Sequence, residues 1–403
     1  ALYLAAYRLL DAEGLARAFA DGGAAALDPA KEFGGRWSYV VFQGRQKLAL
    51  VFLPVVLLIV QQEISLQIPD ETQARWEWLL TGLGVVGVLA VLLTLPWMVR
   101  AVLGLKPLPA GPVRDRLLAA SRRLRFRCSD LLLWDTRGGM ANAMVIGVLP
   151  WPRYVIFTDR FLEDFNGDEV EAVFGHEVGH VKHRHMVFYL AFLMLSIAAM
   201  GYGYFAAYPL LQSLVGGRPA APTLASMLYG LPLTDAWAPA GAAAFLVYLF
   251  AVFGFLSRRC ERQADVYGCR AVSCRRPECI GHDDGPELAA GAAALCPTGV
   301  RTFIYALEKV AQVNGISRDR PGFLQSWQHS TIARRVEFLQ RMLRDPGLER
   351  RFQRRVALVK WALFLLLGGT LAFLVVRHDW ASDDGPAATA GQDREAGVRP
   401  GPE

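Results

Sequence analysis

The sequence has no polar stretch in which basic and aromatic residues interleave, and its net charge is only +6. That argues against nucleic acid as a partner, which would need a dense basic footprint. Charge of either sign is scarce: 20% of the 403 residues are charged against 53% hydrophobic, with a mean hydropathy of +0.25. A soluble chain of this length could bury a large core, but these values lie on the membrane side of the usual averages. No phosphate loop is present either. Gly82, Gly84 and Gly87 fall inside an apolar run, where they read as small helix-packing residues. A signal-peptide pattern is also missing, and the chain begins at Ala1 rather than methionine, as expected of a missing or processed N-terminus.

What the chain does have is long apolar runs. Five are expected to cross a membrane: 48–60 (reaching full length with 61–66 at the interface), 78–99, 187–211, 238–256 and 356–376. Pro96 is expected to fray the second, and Lys360 to snorkel from the last. The flanks set an orientation. Arg36, Arg45 and Lys47 precede the first run, Arg100, Lys106, Arg114 and Arg116 follow the second, Arg258, Arg259 and Arg262 follow the fourth, and Arg350, Arg351, Arg354 and Arg355 precede the fifth. With five crossings all these clusters fall on one side, which the positive-inside rule makes cytoplasmic.

The chain therefore divides into an N-terminal arm (1–47), a transmembrane hairpin (48–105), a first water-facing part (106–186), a second transmembrane hairpin (187–257), a second water-facing part (258–355), a last transmembrane helix (356–377) and an acidic, disordered tail (378–403). In the water-facing parts, 114–126 reads as a basic helix and 130–134 as a strand. Residues 141–148 and 153–158 read as a hairpin around Pro150 and Pro152. Helices are expected at 302–313, closed by Gly315, and at 332–343 before Pro346.

The stretch with the most chemistry is His176-Glu177-Val178-Gly179-His180. Asp168 as N-cap, with Glu171 completing a capping box, and the apolar Val170, Val173 and Phe174 predict a helix here. Histidines four apart on a helix project from one face, so both imidazoles can reach one zinc, and Glu177 is placed as general base. Zinc needs a third protein ligand when the fourth position is left to water. The candidate is Glu261 in Cys260-Glu261-Arg262-Gln263-Ala264-Asp265, with Asp265 one turn later accepting from a ligand imidazole's other nitrogen. His176 and His180 lie just before one apolar run and Glu261 just after the next, so two crossings return Glu261 to the histidines' side.

Together, His176 to His180 and Glu261-x-x-Ala264-Asp265 resemble the integral-membrane zinc metallopeptidases of the CAAX prenyl endopeptidase and HtpX group. Asn142-Ala143, shortly before 153–158, resembles the family's Asn-Ala strand beside the active site, and Ser257-Arg258 is also familiar. His329-Ser330-Thr331-Ile332-Ala333-Arg334-Arg335-Val336 resembles a His-Pro-Pro…Arg-Ile segment, with Ser330 and Thr331 standing where the pattern has prolines. The resemblance covers roughly 110–345. It implies a mainly α membrane protein with an α+β zincin-type catalytic domain and a small hairpin or sheet, working as a zinc endopeptidase. His329 and Arg335 would stabilise the oxyanion, and Asn142 and Ala143 would belong to the strand that receives substrate. The family's substrates are misfolded membrane proteins or prenylated peptides, and quality control is the expected role. A non-catalytic membrane scaffold or sensor that keeps the zinc-binding fold is the alternative.

Two secondary constellations remain. Cys269, Cys274, Cys279 and Cys296 suit a second, structural zinc, a pair of disulfides or unlinked loop thiols; a reducing cytosol disfavours the disulfides. Cys128 and Cys260 read as packing residues. His183 and His185 trail the motif and, with the zinc ligands already assigned, read as solvated or headgroup-facing.

Overall fold

The computed structural model describes residues 36–48, 52–68, 72, 75–215, 238–274, 295–319, 327 and 329–383. The chain forms two units, Ala1–Met186 with Phe253–Arg351, and Val187–Val252 with Phe352–Glu403. Residues 1–35 of the expected arm (1–47), Cys279 and the end of the tail lie outside the described residues.

The first unit opens with α1 (Arg36–Lys47), α2 (Leu53–Leu66) and α3 (Glu77–Leu103). At 1.5 Å per residue the 14-residue α2 spans only about 21 Å, short of a hydrocarbon core about 30 Å thick. Helix α3 runs straight through Pro96 instead of fraying there, and stops at Gly104, whose φ of 66° allows the left-handed cap that bonds back to Ala101. Among the described residues three helical segments are long and apolar enough to cross a membrane: Gly82–Leu103, Ala243–Ala271 and Gly347–Leu374. A bent pair, Gly167–Lys182 with His185–Met200, makes a fourth if it counts as one span. Five crossings were expected, and the described residues account for three or four by length and composition.

A four-stranded sheet follows: β1 (Lys106–Pro107), β2 (Asp130–Trp134), β3 (Ala143–Ile146) and β4 (Tyr154–Thr158), in the order β1-β2-β4-β3. Strands β2 and β4 run parallel, while β3 pairs antiparallel with β4 as the expected hairpin. All five β4 residues are buried because both faces of this strand are covered. Val155 and Phe157 point toward α4 (Pro112–Arg123) and α6 (Gly167–Lys182), joining Leu117, Phe161, Val170 and Phe174. Tyr154 and Ile156 point the other way, onto Val99 and Leu103 of α3. The β3–β4 turn is clamped by Arg153, which donates to the carbonyls of Gly147 and Arg127 at 3.1 Å each. Gly147 sits at φ 109°, and a Cβ there would stand 2.2 Å from the Pro152 carbonyl oxygen, so only glycine fits.

A short α5 (Asp159–Asp164) leads into α6. The N-cap of α6 is Asn166, not Asp168, and its capping-box partner is Glu169. Two residues of displacement leave the expected pair free for other work. Asp168 meets Arg116, while the buried Glu171 receives Arg116 Nε at 2.7 Å and also Arg123. The basic helix α4 thus docks on the back of α6 through a buried carboxylate. After α7 (His185–Val215) the chain returns as α8 (Ala238–Ala271), followed by α9 (Pro297–Val313), α10 (Ile332–Arg344) and α11 (Pro346–Asp383). Helix α9 starts five residues earlier than the apolar pattern suggests, because the Cys296 thiol caps it by accepting from Gly299 N–H. Helix α11 continues through 378–383, which were expected to be disordered.

In the second unit α7 meets α8 through Ser196 and Tyr248, whose hydroxyls lie 3.0 Å apart. Phe188 packs edge-on against Phe364 of α11. Lys360, expected to snorkel, instead lies over the Phe188 ring at 5.0 Å. Leu358, Trp361, Leu365 and Phe373 of α11 are exposed, as a lipid-facing helix requires.

Candidate active site

Helices α6 and α8 cross in close contact because small residues line both. A Cβ on Gly175 would stand 2.3 Å from Ala271 Cβ, and one on Gly179 would stand 3.0 Å from Ala264 Cα. Without side chains at these points the backbones approach until the buried Glu261, one turn before Asp265 on the facing side of α8, reaches the histidines of α6. His176 Nε2 and His180 Nε2 are 3.2 Å apart. Glu261 offers Oε2 at 3.8 Å from the first and Oε1 at 3.5 Å from the second. His176, His180 and Glu261 are the group of three metal-capable side chains among the described residues, with ligand atoms all within 4.8 Å of one another.

The set can be tested against an ion. Ligands about 2.0–2.1 Å from a tetrahedral zinc lie about 3.3–3.4 Å from each other. Two imidazole nitrogens facing each other across 3.2 Å, beside a buried carboxylate, make that arrangement with little adjustment. Two nitrogens and one oxygen also suit zinc's preference.

The surroundings hold these three in place. Asp265 Oδ1 lies 3.1 Å from His176 Nδ1, at ion-pair distance although not in line for a full hydrogen bond. Arg335 of α10 is buried and donates from Nε to Asp265 Oδ2 at 2.9 Å and from Nη2 to Oδ1, with Nη1 3.8 Å from Glu261. Burial works against its charge, but Asp265, Glu261 and Glu177 outweigh it and its pKa is raised. Arg335 thus faces the carboxylates. The exposed group is His329, with Nδ1 3.1 Å from Glu261 Oε2. Ser330, next to it, has φ 66°, which the proline of the resembling pattern could not adopt. Arg258 of the Ser257-Arg258 pair donates to the Trp327 carbonyl at 2.8 Å.

Glu177 reaches the sheet edge, where its Oε2 accepts from the Val145 N–H at 3.0 Å. Burial pushes its carboxyl up to about 7, and pushes His180 down to about 4, keeping that imidazole neutral. Strand β3 is an edge strand. The Asn142 carbonyl accepts from Thr158 N–H on β4 while the Val145 N–H turns to Glu177, so by alternation Ala143 and Val145 turn their backbone groups outward. Asn142 is bound to Thr158, and Asn314 at the end of α9 holds Ala141 through two hydrogen bonds of 3.0 and 2.8 Å. A cleft of about 480 Å³ runs along this edge, lined by Asn142, Ala143, Val145, Glu177, His329 and the apolar Leu307 and Val310.

The structure bears on two secondary readings. Cys269, Cys274 and Cys296 make no metal group among the described residues: Cys269 is buried in α8, and the Cys296 thiol serves α9 and accepts from Cys274 N–H at 3.4 Å. His185 is not solvated. It is fully buried, with Nδ1 3.1 Å from His180 Nδ1 and Nε2 3.2 Å from Gln263 Oε1.

This arrangement is that of a metallopeptidase-like centre in a chain with membrane-spanning helices. Residues 131–278 match the Peptidase family M48 model. The expected resemblance to integral-membrane zinc metallopeptidases of the CAAX prenyl endopeptidase group holds. A CAAX prenyl protease 1 homolog from Arabidopsis thaliana is 32% identical over 95 residues, 23% of this chain and 22% of the relative. One from Oryza sativa subsp. japonica is 31% identical over 84 residues, 20% of each. The chain thus matches about a fifth of the length of these curated relatives. A solved structure, the crystal structure of S. mikatae Ste24p, aligns with a TM-score of 0.44 and 18% identity, over 74% of this chain and 64% of that one.

Proposed function

We propose that this chain is a membrane-embedded zinc endopeptidase working in membrane-protein quality control or processing. The observation that carries the reading is the convergence of His176, His180 and Glu261, with Glu177 beside them on an open cleft. His176, His180 and Glu261 would hold the ion, and Asp265 with Arg335 would hold His176 and Glu261 in register. Zinc, when bound, supplies Lewis acidity to a water and to the scissile carbonyl.

The protein residues do the rest. An extended peptide adds to the outward edge of β3 through the backbone of Ala143 and Val145, so recognition tolerates many sequences. Glu177, with a carboxyl poised near neutrality, takes the proton from the attacking water and returns it to the departing amine. His329, exposed on the cleft, is placed to donate to the developing oxyanion, while Arg335 acts as a positioning residue behind the carboxylates. The catalytic unit faces the cytoplasm, on the strength of the arginine clusters, and the printed names of the curated relatives suggest prenylated peptides among its substrates.

The test is zinc content beside casein cleavage for the purified parent and Glu261→Ala. The parent should carry one zinc and cleave, lose cleavage to a chelator and regain it with zinc. Glu261→Ala should lose both zinc and cleavage, because two histidines leave the ion under-coordinated. Zinc in the parent without turnover would favour the scaffold.

A further inference from the structure

Each candidate ligand imidazole has a different group beside its second ring nitrogen. His176 faces the carboxylate of Asp265, whereas His180 Nδ1 faces His185 Nδ1 at 3.1 Å, and His185 Nε2 continues to Gln263 Oε1 at 3.2 Å. We infer that Gln263 and His185 form a relay that fixes the tautomer of His180 and so tunes metal affinity; the inference rests on the proposed metal centre.

The proton count allows one arrangement that leaves a lone pair for the ion. If His180 Nε2 is to be a ligand, its proton sits on Nδ1 and is donated to His185 Nδ1. His185 must then carry its own proton on Nε2, which is donated to an acceptor. Gln263 presents its amide oxygen there. His185 is fully buried and Gln263 nearly so, which keeps water from replacing either partner. The His180 and His185 rings stand at 83° with centroids 5.0 Å apart, and His183 stacks behind His185.

The backbone makes the contact possible. In an unbroken helix a residue five positions on lies about 140° around the axis, so His185 would point away from His180. Helix α6 instead ends at Lys182, and Arg184 takes φ 54° before α7 restarts at His185. That left-handed residue, unusual without glycine, swings the ring back behind the motif.

The test is zinc affinity by chelator competition in the full-length protein, with thermal unfolding of the zinc-free and zinc-bound forms as a second readout. His185→Phe keeps ring volume and Gln263→Leu keeps side-chain size; both should weaken zinc by ~10–100-fold, the usual effect of losing a group that orients a ligand. Gln263→Glu still accepts from His185 and should stay within about threefold of the parent. Measured against each protein's own zinc-free form, zinc should stabilise Gln263→Leu less than it stabilises the parent, which a merely structural role would not produce. Parent-like affinity in His185→Phe and Gln263→Leu, or equal losses in Gln263→Leu and Gln263→Glu, would overturn the relay. A parent that binds no zinc would overturn the metal centre itself.

Discussion

Gly179→Ala tests whether the close approach of α6 and α8 builds the site. The added methyl would stand 2.8 Å from Tyr267 Cβ and 3.0 Å from Ala264 Cα. Carbon atoms prefer about 3.5–4.0 Å, so the helices must part by roughly 0.5–1 Å. Ala264 lies between Glu261 and Asp265, and the shift therefore carries the third ligand with it. Metal sites tolerate only about 0.2 Å of ligand displacement. Overpacking of this kind costs about 1–3 kcal/mol, which as lost zinc binding is roughly 5–150-fold. Replacing glycine by alanine inside a helix returns up to about 1 kcal/mol of folding stability, which offsets part of any cost to folding but none of the loss in zinc affinity. Gly82→Ala, in open space on α3, is the control and should leave zinc unchanged. Zinc affinity in Gly179→Ala within about twofold of the parent would refute the argument.

Other consequences follow from the same packing. Glu171→Gln leaves Arg116 and Arg123 without their buried anion and should cost about 2–3 kcal/mol in denaturant unfolding, with zinc still bound. Burial raises the Asp159 carboxyl, but hydrogen bonds from Thr136 and Gly138 more than offset this and hold its pKa below the ordinary value. Its contribution is therefore complete above the unfolded pKa of about 3.9 and disappears as pH falls through the folded one. Asp159→Asn should flatten that acid limb of stability. In a background without native cysteines, a cysteine at Gln67 should react from outside intact cells with an impermeant thiol reagent, and one at Ser129 should not. Labelling at Ser129 would reverse the proposed orientation.

Some of this architecture could be read from residue spacing, because the relevant contacts are local or follow from parity. Histidines four apart meet by helix geometry alone, and the even number of apolar runs returning Glu261 to their side anticipated the cluster now seen. Strand β2 and the β3–β4 hairpin followed from alternation and turn residues. The parts that were not legible depend on tertiary detail. Asn166 took the cap because Asp168 and Glu171 face Arg116 and Arg123 on a helix 50 residues away in sequence, which no local pattern announces. His185 was read as solvated because the zinc ligands were already assigned, and nothing in Lys182-His183-Arg184 signals a left-handed break without glycine. Arg335 was grouped with His329 as an oxyanion partner, whereas its fork closes on Asp265. Gly175 and Gly179 carried no reading from sequence, because their use lies in the close approach of α8.

The most direct test of the account is Glu177→Gln, read by zinc content and peptide cleavage on the same preparation. Glu177 lies on the cleft and bonds Val145 but is not one of the three converging ligands. Glutamine keeps its shape and cannot take a proton. Zinc should stay at the parent's level while cleavage falls by at least ~10²-fold, the scale of a lost general base. Cleavage near the parent's rate would contradict the mechanism, whatever the metal content.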